Sequence, residues 1–442
     1  MAKLNTARKP TVFTEQGAQA KRINPEQQLR RLVMSCMLWE KEFYVDGQTI
    51  SEQIFDAVKH AGAHASALIA MQARSSMNLR HAPLLVAASM AYHFRGDPVV
   101  GRTIADVIQR ADELAEIISI CAHLNGVTPD KVKPVLGAQV KKGVAEAFQK
   151  FDAYSMAKYN RKSAITLRDA LFLVHAKPKD EAQAAIWQKL IDGKLESPDT
   201  WEVGLSGGGD KKETFERLLA EGKLGYLALL RNLRNMVEAK VDLSLVRDAL
   251  AARKGAGRVL PFRFVAAARQ APQLEPAIDA ALLASLEELP KLKGRTAVLI
   301  DVSGSMEYDK VSARSDMSRL DAAATLGAVI PAEELRVFTF SMSLVECPAR
   351  RGMAGVDVII GSQPHGGTYL GQAVSDLMRL VEYDRLIVIT DEQSADRVPD
   401  PKGRAYMINV ASNKNGVGYG KWIHIDGFSE SVIRYIQALE SE

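Results

Sequence analysis

Five oxygen-bearing residues in three short stretches carry the clearest chemistry in this sequence. "VLIDVSGSM" places Asp301, Ser303 and Ser305 at every second position, "PHGGTYL" places Thr368 behind two glycines, and "RLIVITDEQ" carries Asp391 just past an apolar run. A carboxylate and two hydroxyls alternating along an extended turn can converge on one point. Hard oxygen donors of this kind suit Mg²⁺ or a similar divalent cation, and three of them leave octahedral positions for water and for a partner's oxygen. The two glycines permit close backbone approach in front of Thr368. Taken singly, each residue reads as a cap on the helix that follows a strand. The ordered set of Asp-x-Ser-x-Ser, Gly-Gly-Thr and Thr-Asp points instead to one cation site. Catalysis has less behind it: no Gly-x-Ser-x-Gly elbow surrounds Ser303 or Ser305, and neither has an evident histidine partner. The phosphate-loop spacing is missed by both "SGGGDKKE" and "EGKLG". The expectation is a non-enzyme.

A second set of residues is cationic. "SMAKYNRKSAITLRDALFLVHAKPKD" holds Lys158, Arg161, Lys162, Arg168 and His175 around an apolar stripe of Leu167, Ala170, Leu171 and Val174, with Thr166 and Asp169 spaced as a capping box. Cations at a helix beginning, where backbone N–H groups also favour phosphate, suit a polyanion. In "YLALLRNLRNMVE" the residues Leu230, Leu233 and Val237 can face a core while Arg231, Arg234 and Asn235 face away. Two Arg-Asn pairs in five residues suit phosphate and base-edge contacts. The plainer alternative is a pair of solvated helices, with His175 a C-terminal cap and Arg234 paired to Glu238 one turn on. A Gly-rich basic loop, "LSGGGDKK", lies between the two.

These residues need elements to position them, and the chain has two textures. From about residue 25 to 289 apolar residues recur at helical spacing, as in Leu29, Leu32, Val33 and Cys36, with short breaks at "RGDP", "LNGVTPD" and "HAKPKD". This predicts an all-helical array, although no fixed HEAT or armadillo period is legible. After "ELPKLKGR" short apolar runs appear: "TAVLIDV", "LRVFTFS", "VDVII", "RLIVIT", "RAYMINV" and "KWIHID", with helical stretches between several of them. Alternating strand and helix predicts an open parallel, doubly wound sheet, with "TAVLIDV" its central strand and the Asp-x-Ser-x-Ser loop at that strand's carboxyl end.

Size and charge fit a two-part chain. At 442 residues more than one domain is expected. Lys and Arg outnumber Asp and Glu by 24 to 16 over residues 141–270, whereas residues 294–442 carry 15 against 20. Such asymmetry suggests a polyanionic partner for the middle of the chain only. Three scattered cysteines give neither a disulfide framework nor a metal cluster. With no signal-peptide core and no run of about 20 apolar residues, a soluble cytoplasmic protein without membrane contact is expected.

The three metal-site stretches resemble the metal-ion-dependent adhesion site of von Willebrand factor A domains. The helical stretches "KYNRKSAITLRDALFLVHAKP", "TWEVGLS" and "GYLALLRNLRNM", with the early "GAQAKRINPEQQLRRLV" and "EKEFYVDGQ", resemble the TROVE-domain proteins typified by the Ro autoantigen. That resemblance implies a multidomain protein: residues 1–285 an all-α, HEAT-like helical-repeat ring, and residues 294–442 a Rossmann-like A domain that holds the ring's ends. It implies small noncoding Y RNA bound on a basic outer surface, single-stranded or misfolded RNA ends in the central hole, and an association with exoribonucleases in RNA turnover and quality control. It places Lys158, Lys162 and His175 among the RNA contacts; Arg161, Arg168, Arg231 and Arg234 join them on charge and helix face. Two rival classes remain: a metal-dependent protein-binding module with no RNA role, and a metal-assisted nuclease.

Overall fold

Aspartate is the recurrent start signal of the helical part. Asp97, Asp152, Asp180, Asp210 and Asp242 each accept a first-turn backbone N–H and so open the helices Pro98–Val107, Ala153–Tyr159, Glu181–Ile191, Lys211–Ala220 and Leu243–Ala252. Each such cap is worth about 1 kcal/mol. The computed structural model describes residues 12–13, 19–20, 24–35, 50–75, 79–196, 199, 201–206, 209–259, 261–308, 318–410, 417, 420–426 and 431–441. Within them, sixteen α-helices run from Pro25–Ser35 to Glu275–Glu287. Cys36, the last residue of the periodic quartet, lies outside the described residues, while Leu29 and Val33 are buried. No described helix is long and apolar enough to cross a membrane.

One ion pair pins the early helices together. Arg74, near the end of Ala63–Ser75, donates two hydrogen bonds to Glu113 of Ala111–Leu124, at 2.8 and 2.7 Å, with both side chains buried. Glu113 also accepts the backbone N–H groups of Gln109 and Arg110. Burial pushes its carboxyl above the usual range while the Arg74 charge pulls it back.

The chain divides into two units. One comprises residues 286–430 together with a short antiparallel ladder of β1 (Val12–Phe13) and β2 (Gln19–Ala20); the other comprises Pro25–Ser35, residues 50–285 and the C-terminal helix Ser431–Ser441. The expected 294–442 domain thus differs from the observed unit, because "SVIRYIQAL" forms a helix that groups with the helical part.

The α/β unit is a six-stranded sheet: β3 (Leu292–Asp301), β4 (Ala332–Phe340), β5 (Leu344–Cys347), β6 (Arg385–Thr390), β7 (Arg404–Asn409) and β8 (Ile423–Asp426), in the order β5-β4-β3-β6-β7-β8. "TAVLIDV" is an inner strand, as expected. Two expectations are corrected. The sheet is mixed, since β5 returns antiparallel along β4 and forms the edge. "VDVII" is not a strand but the end of the helix Gly352–Ile360, where Met353, Val356 and Ile359 recur every third residue on the buried side. A short apolar run that is buried does not by itself distinguish strand from helix.

Alternate side chains of β3 enter opposite layers. Ala297 and Leu299 join Leu370, Val374 and Leu377 of the helix Leu370–Leu380 in one core cluster. Ile300 points to the other face, where Gly327 of the helix Arg319–Val329 lies so close that any side chain there would strike Ile300 Cδ1. Cys121 and Cys347 are free and buried, one in each unit.

Candidate metal centre and nucleic-acid interface

Strand register assembles the acidic end of the first site. β3 and β6 run parallel with Ile300 opposite Ile389, so Asp301 and Thr390 end their strands side by side. The Thr390 hydroxyl donates to Asp301 Oδ2 at 2.7 Å and the Ser303 N–H donates to Asp301 Oδ1 at 2.9 Å. Ser303 Oγ and Ser305 Oγ stand 3.4 Å apart, the first residue buried and the second exposed. Two oxygens adjacent on an octahedral Mg²⁺ at ~2.1 Å would be ~3 Å apart. Asp391 follows Thr390 directly, is buried, and accepts the Gln393 N–H at 3.0 Å. Glu392 takes the left-handed conformation, φ 61°, and its carboxylate lies 2.7 Å from Nδ1 of the buried His424 on β8.

Backbone and side-chain hydrogen bonds tie the three loops together. The Gly304 N–H donates to Gly366 C=O at 3.0 Å, and His365 Nδ1–H donates to Val302 C=O at 2.8 Å. Ser341 Oγ accepts the Gly366 N–H at 2.8 Å; a side chain on Gly366 would meet Met342 Cγ at 2.8 Å. The Ala395 N–H donates to Thr368 C=O at 3.0 Å, which fastens the Gly-Gly-Thr loop to the loop after β6. Asp396 then caps the helix Leu370–Leu380 by accepting the N–H groups of Gly371 and Gln372, both at 2.7 Å.

Electrostatically the site fits a cation. Burial, then the charge of Asp391, push the Asp301 carboxyl up to about 7. Its two hydrogen-bond donors are neutral, so nothing in that pair offsets a full negative charge. A divalent cation among hard oxygens would.

The cationic segment is also built as a unit. Thr166 and Asp169 form the reciprocal capping box: Thr166 Oγ1 accepts the Asp169 N–H at 3.1 Å and Asp169 accepts the Thr166 N–H at 2.9 Å. Leu167, Ala170, Leu171 and Val174 are all buried. Arg161, Lys162, Arg168 and His175 are exposed and Lys158 is half-buried, and among the described residues none of the five pairs with an acid. One expectation changes. The helix beginning is not an open phosphate seat, because the Asp169 carboxylate already occupies it; the side-chain cations must carry the attraction. His175 is the left-handed C-cap, φ 53°, with its imidazole exposed.

Arg231 and Arg234 form a separate group. Their helix, Tyr226–Glu238, packs chiefly on Phe262–Gln270, whereas the helices carrying Lys158 and Arg168 both pack on Ala111–Leu124. Leu230 and Leu233 face the core as expected, but Met236 is buried where Val237 is half-buried. Arg231 is exposed; Arg234 lies 3.6 Å from Glu238 and donates to Gln270 Oε1 at 3.2 Å, as the plainer alternative anticipates. Sequence reasoning named Thr390 only as part of the Thr-Asp motif, without its bond to Asp301, and missed Ser341, Asp396 and the Glu392–His424 pair. For Thr390 and Asp396 a signal existed: a polar residue adjoining or close to a candidate ligand. For Ser341 and His424 none did, since only the fold brings their strands to the site.

Over 87 residues the chain is 38% identical to telomerase protein component 1 of Mus musculus and 37% identical to that of Rattus norvegicus; the stretch is 19% of this chain. The chain spans about 3% of the length of these curated relatives. The crystal structure of the Deinococcus radiodurans Ro (RSR) protein is similar in fold, with a TM-score of 0.66, 18% identity, and coverage of 94% of this chain and 100% of that one. The TROVE domain profile matches residues 3–193 and 182–302, more than half of the sequence, and the chain therefore belongs to the TROVE-domain family of RNA-binding proteins.

Proposed function

We propose that this protein is a cytoplasmic RNA-binding scaffold that performs no bond-breaking of its own. It binds a small noncoding, Y-like RNA on the basic surface of its helical part. It holds single-stranded or misfolded RNA ends in the hole of the helical ring that the resemblance implies, and serves RNA quality control or turnover beside an exoribonuclease. The observation that carries this reading is the segment 158–175: five candidate contacts, among which no described residue forms an acid pair, set by a capped and buried helix within a TROVE domain. Cations left free of local acids remain available to phosphate. A-form RNA hides its base edges in a deep groove, so such a surface reads shape and phosphate rather than sequence.

Asp301, Ser303, Ser305, Thr368 and Asp391 are proposed to hold a divalent cation, most simply Mg²⁺, which would supply positive charge at the carboxyl end of the sheet and a position for a partner's oxygen. Exposure of Tyr308, Met342 and Tyr369 beside these loops favours a second reading, in which the α/β unit grips an acidic protein partner. The two readings separate on purified protein: copurifying RNA, seen as raised absorbance at 260 nm and sequenced, supports the first. In a gel-shift titration at two salt concentrations, Lys158→Ala, Lys162→Ala and His175→Ala together should weaken RNA binding without unfolding the protein. Unchanged affinity would sink the assignment.

A further inference from the structure

Two large aromatic rings stand exposed on the cationic segment where the buried stripe does not need them. Tyr154, in the first turn of Ala153–Tyr159, is 54% exposed, and Phe172, on Leu167–Val174, is 53% exposed. Leaving about half of such rings in water forgoes part of the gain from burying them. Several other described rings engage one another: Phe148 packs on Trp187, Tyr226 on Phe264, and the half-exposed Tyr92 on Phe55 and His93, while Tyr308 and Tyr369 are exposed on the α/β unit. Tyr154 and Phe172 contact no other described ring.

Each instead has a cation one helical turn away. Lys158 Nζ lies 5.7 Å from the Tyr154 ring centre, and the Arg168 guanidinium lies 5.9 Å from that of Phe172. Both pairs are four residues apart, so each cation shares a helix face with its ring. Both helices pack on the same two neighbours, Ala111–Leu124 and Glu181–Ile191, and the exposed Arg161 and Lys162 lie on the segment that joins them. Lys158 Nζ lies equally near Tyr159, at 5.6 Å, but that ring is half-buried with the Arg110 guanidinium 4.5 Å over its face, the environment of a packing residue.

We infer that Tyr154 and Phe172 are stacking platforms for unpaired nucleotides of RNA, flanking the phosphate-binding cations Lys158, Arg161, Lys162 and Arg168. This rests on the RNA-binding reading above and adds, beside its shape and phosphate contacts, a place for unpaired nucleotides at this segment. Charge complementarity selects nucleic acid over an apolar peptide, since every ring is beside a cation that a hydrophobic partner would have to desolvate. Accessible ring faces select unpaired bases over a duplex, because bases already stacked in a helix offer no face to a side chain.

The test uses the full chain and three proteins: the wild type, Y154L/F172L, and K158A/K162A. Leucine keeps apolar bulk and every charge while removing the π faces. Probes are a mixed-sequence 16-nucleotide single-stranded RNA and a blunt duplex of the same length, each titrated at two salt concentrations. The leucine variant should lose about tenfold in single-strand affinity, within the range found for losing one or more stacked bases. Its dependence on salt and its duplex affinity should match the wild type, whereas the lysine variant should show a shallower salt slope on both probes. A leucine variant that binds the single strand as well as the wild type, or that loses duplex affinity equally, overturns the inference and leaves the RNA-binding reading standing. A wild type that binds neither probe overturns both.

Discussion

Burial and the neighbouring Asp391 push the Asp301 carboxyl up to about 7, whereas an unfolded chain would hold it near 3.8. The folded state therefore binds the proton more tightly, and between those values stability falls as pH rises. Below pH 4 the group is protonated in both states and costs nothing; above pH 7 the full cost of the buried charge is present. A bound divalent cation would reverse this by favouring the carboxylate. Thermal melts in EDTA should accordingly show a falling Tm from pH 5 to pH 8, and added Mg²⁺ should raise Tm more at pH 8 than at pH 5. Asp301→Asn, which cannot ionise, should flatten both responses. A wild type whose Tm ignores Mg²⁺ at pH 8 would leave the five oxygen donors as loop-shaping residues.

Elements place these residues, and some of that placement was legible in the sequence. The capping box at Thr166 and Asp169 could be read because its partners are three residues apart, and the inner strand "TAVLIDV" because a buried parallel strand is a continuous apolar run. "VDVII" misled for the same reason: a helix packed along most of its surface carries an apolar run too. The β5 edge and the Glu392–His424 pair were illegible because they depend on strand order, which local spacing does not encode. The Arg74–Glu113 pair belongs to that class, joining helices 39 positions apart. Glu113→Ala would leave Arg74 buried without its acid and should destabilise the helical unit by about 3–5 kcal/mol. Thr166→Ala should cost about 1 kcal/mol, the loss of one cap. Chemical denaturation at equilibrium measures both, and the predicted ratio follows from burial, since the first pair is buried and the second exposed.

Across the chain as a whole, the candidate metal donors and the candidate RNA contacts fall in different units, and the charge divides with them. Residues 141–270 carry 24 basic against 16 acidic side chains and residues 294–442 carry 15 against 20. An electrostatic scaffold and a metal-assisted nuclease then both leave affinity unchanged in Asp301→Asn but predict opposite fates for RNA incubated with the wild type. If phosphate contacts in the helical unit carry binding, Asp301→Asn should leave single-stranded RNA affinity unchanged, because it alters no cation there. Labelled RNA incubated with the wild type and Mg²⁺ should also stay intact. If the cation instead activates water for phosphodiester cleavage, the wild type should shorten the RNA and Asp301→Asn should abolish the products while sparing affinity. K158A/K162A should lower the slope of log affinity against log salt by roughly 0.7–0.9 for each phosphate no longer neutralised, at the same Mg²⁺ concentration. Cleavage by the wild type that disappears in Asp301→Asn would make the α/β unit catalytic and reduce the helical part to its substrate-holding arm.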